Sequence, residues 1–147
     1  HMEKTAVFPG TFNPFTIGHQ SIVERGLAIF DRIIIAIGNN ANKPAGRDFV
    51  KRFRDIKKVF EDNPAVEVTV YSGLTAQFAK NAGACAILRG VRNISDFEYE
   101  RNLADVNKKV LGIETVFLLS LPEHSYISSS MVRELEDNGH DISHLLP

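Results

Sequence analysis

The stretch VFPGTFNPFTIGH (Val7–His19) opens on apolar residues, passes through Pro-Gly and closes on Gly-His at the head of a run with helical spacing. An ordinary reverse turn needs far less. A strand feeding a helix through two threonines and two glycines brings backbone close to something, because glycine removes the side chain that would keep a ligand away. On this reading Pro9 to Ile17 is the junction, and Gly18 and His19 sit at the amino end of the first helix.

Working outward, short β-branched runs recur between helix-length stretches. TAVF (Thr5–Phe8), RIIIAIG (Arg32–Gly38), VEVTVY (Val66–Tyr71), CAILRG (Cys85–Gly90) and ETVFLL (Glu114–Leu119) read as strands. Helical spacing falls near 18–30, 48–62, 74–82 and 94–110, with a further helix after the serines at 128–130. Strict alternation with nearly continuous apolar strands predicts an α/β fold, a Rossmann-like doubly wound sheet of five parallel strands with helices on both faces. Ligands in such sheets bind beyond the carboxyl ends of the strands, where the strand order reverses.

The 147 residues, 44% of them hydrophobic, suit one compact domain. His1 before Met2 reads as a vector-derived remnant, which leaves 2–147 as that domain. Seventeen Lys and Arg against eighteen Asp and Glu give a formal charge of −1, which speaks against a broad nucleic-acid surface. Any anion site has to be local. The one cysteine, Cys85, allows no internal disulfide and reads as a small core residue in a reducing compartment. No apolar run approaches the roughly 20 residues of a membrane span, so no membrane partner and a cytoplasmic protein are expected.

Four clusters could carry chemistry. At the first helix amino end, exposed N–H groups and the helix dipole await an anion, with Thr11 and Thr16 as hydroxyl donors and His19 beside them; the plainer reading is a turn with Thr16 as helix cap. In LRGVRN, Arg89 and Arg92 flank Gly90 where the fourth strand ends, so two guanidiniums can converge on one polyphosphate or simply be solvated. DFEYE places Asp96, Phe97, Tyr99 and Glu100 at the start of a long helix, where acids ordinarily complement the dipole but could here orient the arginines or bind a sugar or metal-bound phosphate. Ser128, Ser129 and Ser130 precede the last helix, where one serine suffices as a cap and three suggest a second phosphate cradle. Lys43, in the loop Asn39 to Asp48, is a cation that could swing over a bound anion. His140 and His144 could share a helical face without a third metal ligand.

Phosphate-binding groups without an obvious nucleophile fit one reaction type. Attack by a substrate phosphate on the α-phosphorus of a nucleoside triphosphate needs the anions held in line and the developing charge neutralised.

PGTFNPFTIGH together with ISSS is similar to the nucleotidyltransferase superfamily marked by a His/Thr-x-Gly-His element and a distal Ile-Ser-Ser/Thr element. With RGVRNISDFEYE added, the chain resembles the bacterial phosphopantetheine adenylyltransferases over nearly its whole length. The resemblance implies transfer of AMP from ATP to 4′-phosphopantetheine, with Mg2+ arriving with ATP, in a homohexamer restrained by coenzyme A as feedback inhibitor. It implies His19, Lys43, Arg92 and Ser130 as the catalytic set. It surrounds ATP with Thr11, Phe12, His19, Gly90, Val91, Arg92, Glu100 and the run His124, Ser125, Tyr126, Ile127, Ser128, Ser129, Ser130. Thr11, Lys43, Thr75 and Arg89 would hold the acceptor. His124 stands where an aromatic often lies against adenine, and Asn13 where Asp is frequent. A nicotinate mononucleotide adenylyltransferase and a catalytically silent nucleotide sensor are the alternatives.

Overall fold

The computed structural model describes residues 2–39 and 48–147. Its elements alternate along the chain: β1 (Thr5–Gly10), α1 (Ile17–Gly26), β2 (Arg32–Gly38), α2 (Asp48–Val59), β3 (Val66–Tyr71), α3 (Thr75–Asn81), β4 (Ala86–Val91), α4 (Ile94–Leu111), β5 (Glu114–Leu119) and α5 (Ser129–Asp137). The five strands form one parallel sheet in the order β3-β2-β1-β4-β5. The order reverses between β1 and β4, so the expected doubly wound sheet is present with its switch point there.

The period-2 alternation of the strands sorts the core onto two faces. Ala6, Phe8, Ile33, Ile35, Ile37 and Leu88 face α1 and α2, meeting Ile22, Val23 and Ile56. Val7, Ile34, Ala36 and Ile87 face the other way, against Ala76 and Ala79 of α3 and Leu111 at the end of α4. Gly26 shows how closely α1 lies on the sheet. A Cβ there would stand 2.8 Å from both Ile33 Cδ1 and Leu88 Cδ2. A third cluster of Ile127, Val132, Ile142 and Leu145 packs α5 and the final turn against Ile17 at the head of α1.

The switch point opens because of one residue. β1 keeps register with β2 from Thr5↔Arg32 to Gly10↔Ile37, but with β4 it pairs only at Ala6↔Ala86 and Val7↔Ile87. Pro9 has no N–H to offer β4, and its carbonyl is taken by an Arg89 side chain instead of a strand. β1 and β4 therefore part at their carboxyl ends, and the cleft between them is the candidate site.

Some expectations are corrected. α1 ends at Gly26, not near 30, because the chain turns off through Leu27 and buries Phe30 from the turn, so the apolar period outlasts the helix. Cys85 is exposed, since it stands one residue before β4 at the amino edge of the sheet, where its N–H donates to the Thr5 carbonyl. α5 stops at Asp137, Gly139 adopts φ of 82°, and His144 falls in a short 3-10 turn, so His140 and His144 share no helical face. Among the described residues, no helix is long and apolar enough to cross a membrane.

Candidate functional site

Arg89, on β4, fills the parting of the strands. Its Nε donates to Glu100 Oε2 at 2.9 Å, Nη2 to Glu100 Oε1 at 2.5 Å, and Nη1 to the Pro9 carbonyl at 2.7 Å. Glu100 comes from the second turn of α4 and is buried, which a carboxylate tolerates only with such a partner. Arg92 repeats the theme one step outward. Its Nε lies 3.1 Å from Asp96 Oδ2, while Asn93 caps α4 by accepting the Asp96 N–H at 2.9 Å. The acids of DFEYE thus orient the two arginines. Among the described residues, no group of three His, Cys, Asp or Glu could hold a metal ion.

His19 enters from α1 as the third helical residue after the cap Thr16, and the two form a reciprocal capping box. The Thr16 hydroxyl accepts the His19 N–H at 3.3 Å, and the Thr16 N–H donates to His19 Nδ1 at 2.9 Å. A backbone amide can only donate, so Nδ1 is the acceptor and the ring proton of the neutral imidazole sits on Nε2. Phe8, Phe12 and Phe15 enclose the ring, with centroids 6.2, 5.1 and 5.3 Å away. Desolvation in this cage, then the charges of Arg89 and Arg92, lower its pKa from 6.5 to about 4. Thr16, expected as a hydroxyl donor to ligand, is buried and committed to the cap.

The amino end of α5 faces the same space. Ser128 caps it by accepting the Met131 N–H at 3.1 Å, Ser129 Oγ donates to the Pro14 carbonyl at 2.8 Å, and Arg133 donates to the Asn13 carbonyl. These bonds tie α5 to the junction after β1. Ser130 Oγ lies 3.3 Å from Ser128 Oγ.

Two cavities result. The first, about 240 Å³, is walled by Thr11, Phe12, Gly18, His19, Arg89, Gly90, Arg92, His124, Ile127, Ser128 and Ser129. Two helix amino ends, two arginines and two histidines converge on it, a donor-rich setting for a polyphosphate. His124 Nδ1 is buried there with no hydrogen-bond partner among the described residues. The second, about 750 Å³, runs past Tyr71, Leu74, Thr75, Tyr99, Leu103 and Val106 and suits a longer, more apolar arm. Pro9, Gly10, Thr11 and Arg89 belong to both walls, so the cavities meet at the parting of β1 and β4. Backbone must come close here: a Cβ on Gly10 would meet the Phe12 ring at 2.8 Å, and one on Gly90 would meet Ile22 at 3.0 Å.

The sequence candidates are placed as follows. Thr11, His19, Gly90, Arg92, His124, Ser128 and Ser129 share the first cavity, and Thr75 opens on the second, where its hydroxyl meets Tyr71 Oη at 2.7 Å. Glu100 lies on the second cavity rather than the first. Val91 is buried, Tyr126 is exposed, and Ser125 Oγ donates to the Pro122 carbonyl. Lys43 lies outside the described residues. Sequence reasoning missed the phenylalanine cage and the apolar trough that Tyr71, Leu103 and Val106 form with Tyr99. The clustered Phe8, Phe12 and Phe15 were the available signal for the cage.

The cytidylyltransferase-like family model matches residues 7–135, which puts the chain in that class of protein. Phosphopantetheine adenylyltransferase of Bacteroides thetaiotaomicron is 48% identical over 144 residues, covering 98% of this chain and 95% of that one. The enzyme of the same name from Cytophaga hutchinsonii is 47% identical over 147 residues, covering 99% and 98%. The chain belongs to the phosphopantetheine adenylyltransferases. Among solved structures, a bifunctional NMN adenylyltransferase/ADP ribose pyrophosphatase from Francisella tularensis superposes with a TM-score of 0.71 at 18% identity. This chain is covered over 99% and spans 45% of that larger one. A NadR protein in complex with NAD and AMP-PNP gives a TM-score of 0.60 at 17% identity, over 94% of this chain and 44% of that one. These two show the shared fold.

Proposed function

We propose that the chain transfers AMP from ATP to 4′-phosphopantetheine, forming dephospho-coenzyme A and pyrophosphate. The observation that carries the reading is the pair of cavities joined at Thr11 and Arg89, one donor-rich and one apolar. A triphosphate in the first and a pantetheine arm in the second would bring the acceptor phosphate up to the α-phosphorus at the junction.

The acceptor's phosphate oxygen forms the new bond to the α-phosphorus as the bond to pyrophosphate breaks, and pyrophosphate leaves with the electron pair. The attacking group is already an anion, so no protein nucleophile or strong base is needed. Neutral His19 donates its Nε2–H to charge developing on the phosphates, and Arg92 with the α1 and α5 amino ends, including Ser130, steadies the leaving pyrophosphate. Arg89 and Lys43 hold the acceptor phosphate, Thr75 touches the pantetheine arm, and Thr11 stands between the substrates. The Phe12 backbone, the 90–92 segment and the run 124–130 surround ATP. Magnesium enters as part of the ATP substrate. The resemblance adds a cytoplasmic homohexamer restrained by coenzyme A at this site.

The test is pyrophosphate release with magnesium and ATP, offering 4′-phosphopantetheine and nicotinate mononucleotide in parallel. Release with phosphopantetheine alone is expected. His19→Ala should lower kcat by about 3–4 kcal/mol of transition-state stabilisation while leaving ATP affinity far less changed. Release with nicotinate mononucleotide instead, or ATP binding without release, would replace the reading with one of its alternatives.

A further inference from the structure

Phe12 is the one residue other than glycine, among those described, whose backbone lies in the left-handed region, with φ of 49°. A bulky side chain keeps that conformation only where its surroundings over-determine it. Two kinds of contact do so here. The Phe12 ring is buried against Phe8, Phe15 and His19, with centroids 5.2, 5.3 and 5.1 Å away. The carbonyls on either side are held by arginines from two helices: Arg52 of α2 donates from Nη1 to the Thr11 carbonyl at 2.7 Å, and Arg133 of α5 donates to the Asn13 carbonyl. The Arg52 guanidinium in turn lies over the Phe49 ring, 5.4 Å from its centroid. The carbonyl and N–H of one planar peptide point opposite ways, so the bond that holds the Thr11 carbonyl on the α2 side turns the Phe12 N–H away from α2. No backbone carbonyl among the described residues takes that N–H. Phe12 borders the first cavity, to whose wall no described residue of α2 contributes.

We propose that Arg52 is a positioning residue for the nucleotide, acting through the Thr11–Phe12 peptide, whose N–H it keeps aimed into the first cavity. The inference rests on the adenylyl-transfer reading, which puts the triphosphate there. Arg52 is not in the described wall of either cavity, so it acts on the nucleotide through the carbonyl it holds. Methionine at 52 keeps an unbranched stem and loses every N–H donor. Lysine keeps a donor, but as a single flexible ammonium that cannot lie flat on Phe49.

The experiment measures equilibrium binding of magnesium-ATP, kcat, KM for 4′-phosphopantetheine and the urea unfolding midpoint for the full chain and for Arg52→Met, Arg52→Lys, Phe49→Leu and the double variant Arg52→Met/Phe49→Leu. Arg52→Met should weaken magnesium-ATP binding by about fivefold or more and lower kcat, with the acceptor KM changed by less than about twofold. Arg52→Lys should recover part of the ATP binding, whereas a role in packing alone predicts no difference between Met and Lys. Phe49→Leu should weaken ATP binding in the same sense, but by less than about twofold further in the Arg52→Met background, since the ring then has no guanidinium to hold. If Arg52→Met does not fold, wild type against Arg52→Lys carries the same comparison of ATP with acceptor. Equal weakening of ATP and acceptor, unchanged ATP binding in a folded Arg52→Met, or no recovery with lysine would overturn the assignment. Wild-type chain that binds magnesium-ATP but makes no dephospho-coenzyme A would instead overturn the adenylyl-transfer reading, and the ATP-binding comparison would still decide the role of Arg52.

Discussion

Acidification should destabilise the fold through His19, by an amount the site allows one to work out. In the folded chain the imidazole has a pKa of about 4, against 6.5 when unperturbed, because the phenylalanine cage desolvates it and Arg89 and Arg92 repel a proton. Between these values the unfolded chain binds a proton that the folded chain refuses. Stability therefore rises with pH across the window and is lost as pH falls from 6.5 towards 4. For one such group the linkage relation gives a loss of about 2 kcal/mol by pH 5 and about 3 kcal/mol by pH 4. Other groups titrate too, so the control matters. Glutamine three residues after a threonine cap preserves a capping box, and His19→Gln thus keeps the local structure while removing the titration. Urea unfolding of both proteins from pH 7.5 down to pH 4 should show the wild type losing about 2–3 kcal/mol more than His19→Gln. Parallel pH profiles would refute the caged neutral imidazole, and so would a variant more acid-sensitive than the wild type.

Other substitutions test the frame around the site. Gly26→Ala should cost about 1–3 kcal/mol in urea unfolding, because the new Cβ meets Ile33 and Leu88 where neither can retreat. Ser128→Ala should cost about 1 kcal/mol by removing the α5 cap, and should weaken ATP binding as well. Leu145→Ala should cost about 2–5 kcal/mol, since Leu145 is almost wholly buried in the cluster that anchors α5. A surface-like loss below about 0.5 kcal/mol would mean that the final turn is not part of the core.

Much of the fold was legible because each strand is a short apolar run and each crossover a helix with its own period. The five strands fall where the β-branched runs are, with β1 continuing two residues past Phe8 to Gly10. Phe30 misled because its burial, not a helix, continues the apolar spacing. The junction after β1 was recognisable as a candidate site and Thr16 as a helix cap, but His19 was read beside that cap and not as part of it. Histidine is not the usual third residue of a capping box, so their reciprocal bonds had no sequence signal. Pro9 was read as the first residue of the junction, whereas it lies within β1. That it separates β1 from β4 depends on strand order, which no local pattern states. That the DFEYE acids could orient the arginines was legible, but which acid meets Arg89 needs β4 and α4 to be packed first.

In the proposed reaction AMP passes directly from one substrate to the other with no adenylyl group on the protein. The most direct test uses ATP carrying a single sulfur at the α-phosphorus in one known configuration, with 4′-phosphopantetheine as acceptor, followed by the configuration of that phosphorus in the product. One in-line displacement predicts inversion. Retention would show two displacements through an adenylylated side chain and would contradict the mechanism drawn from this site.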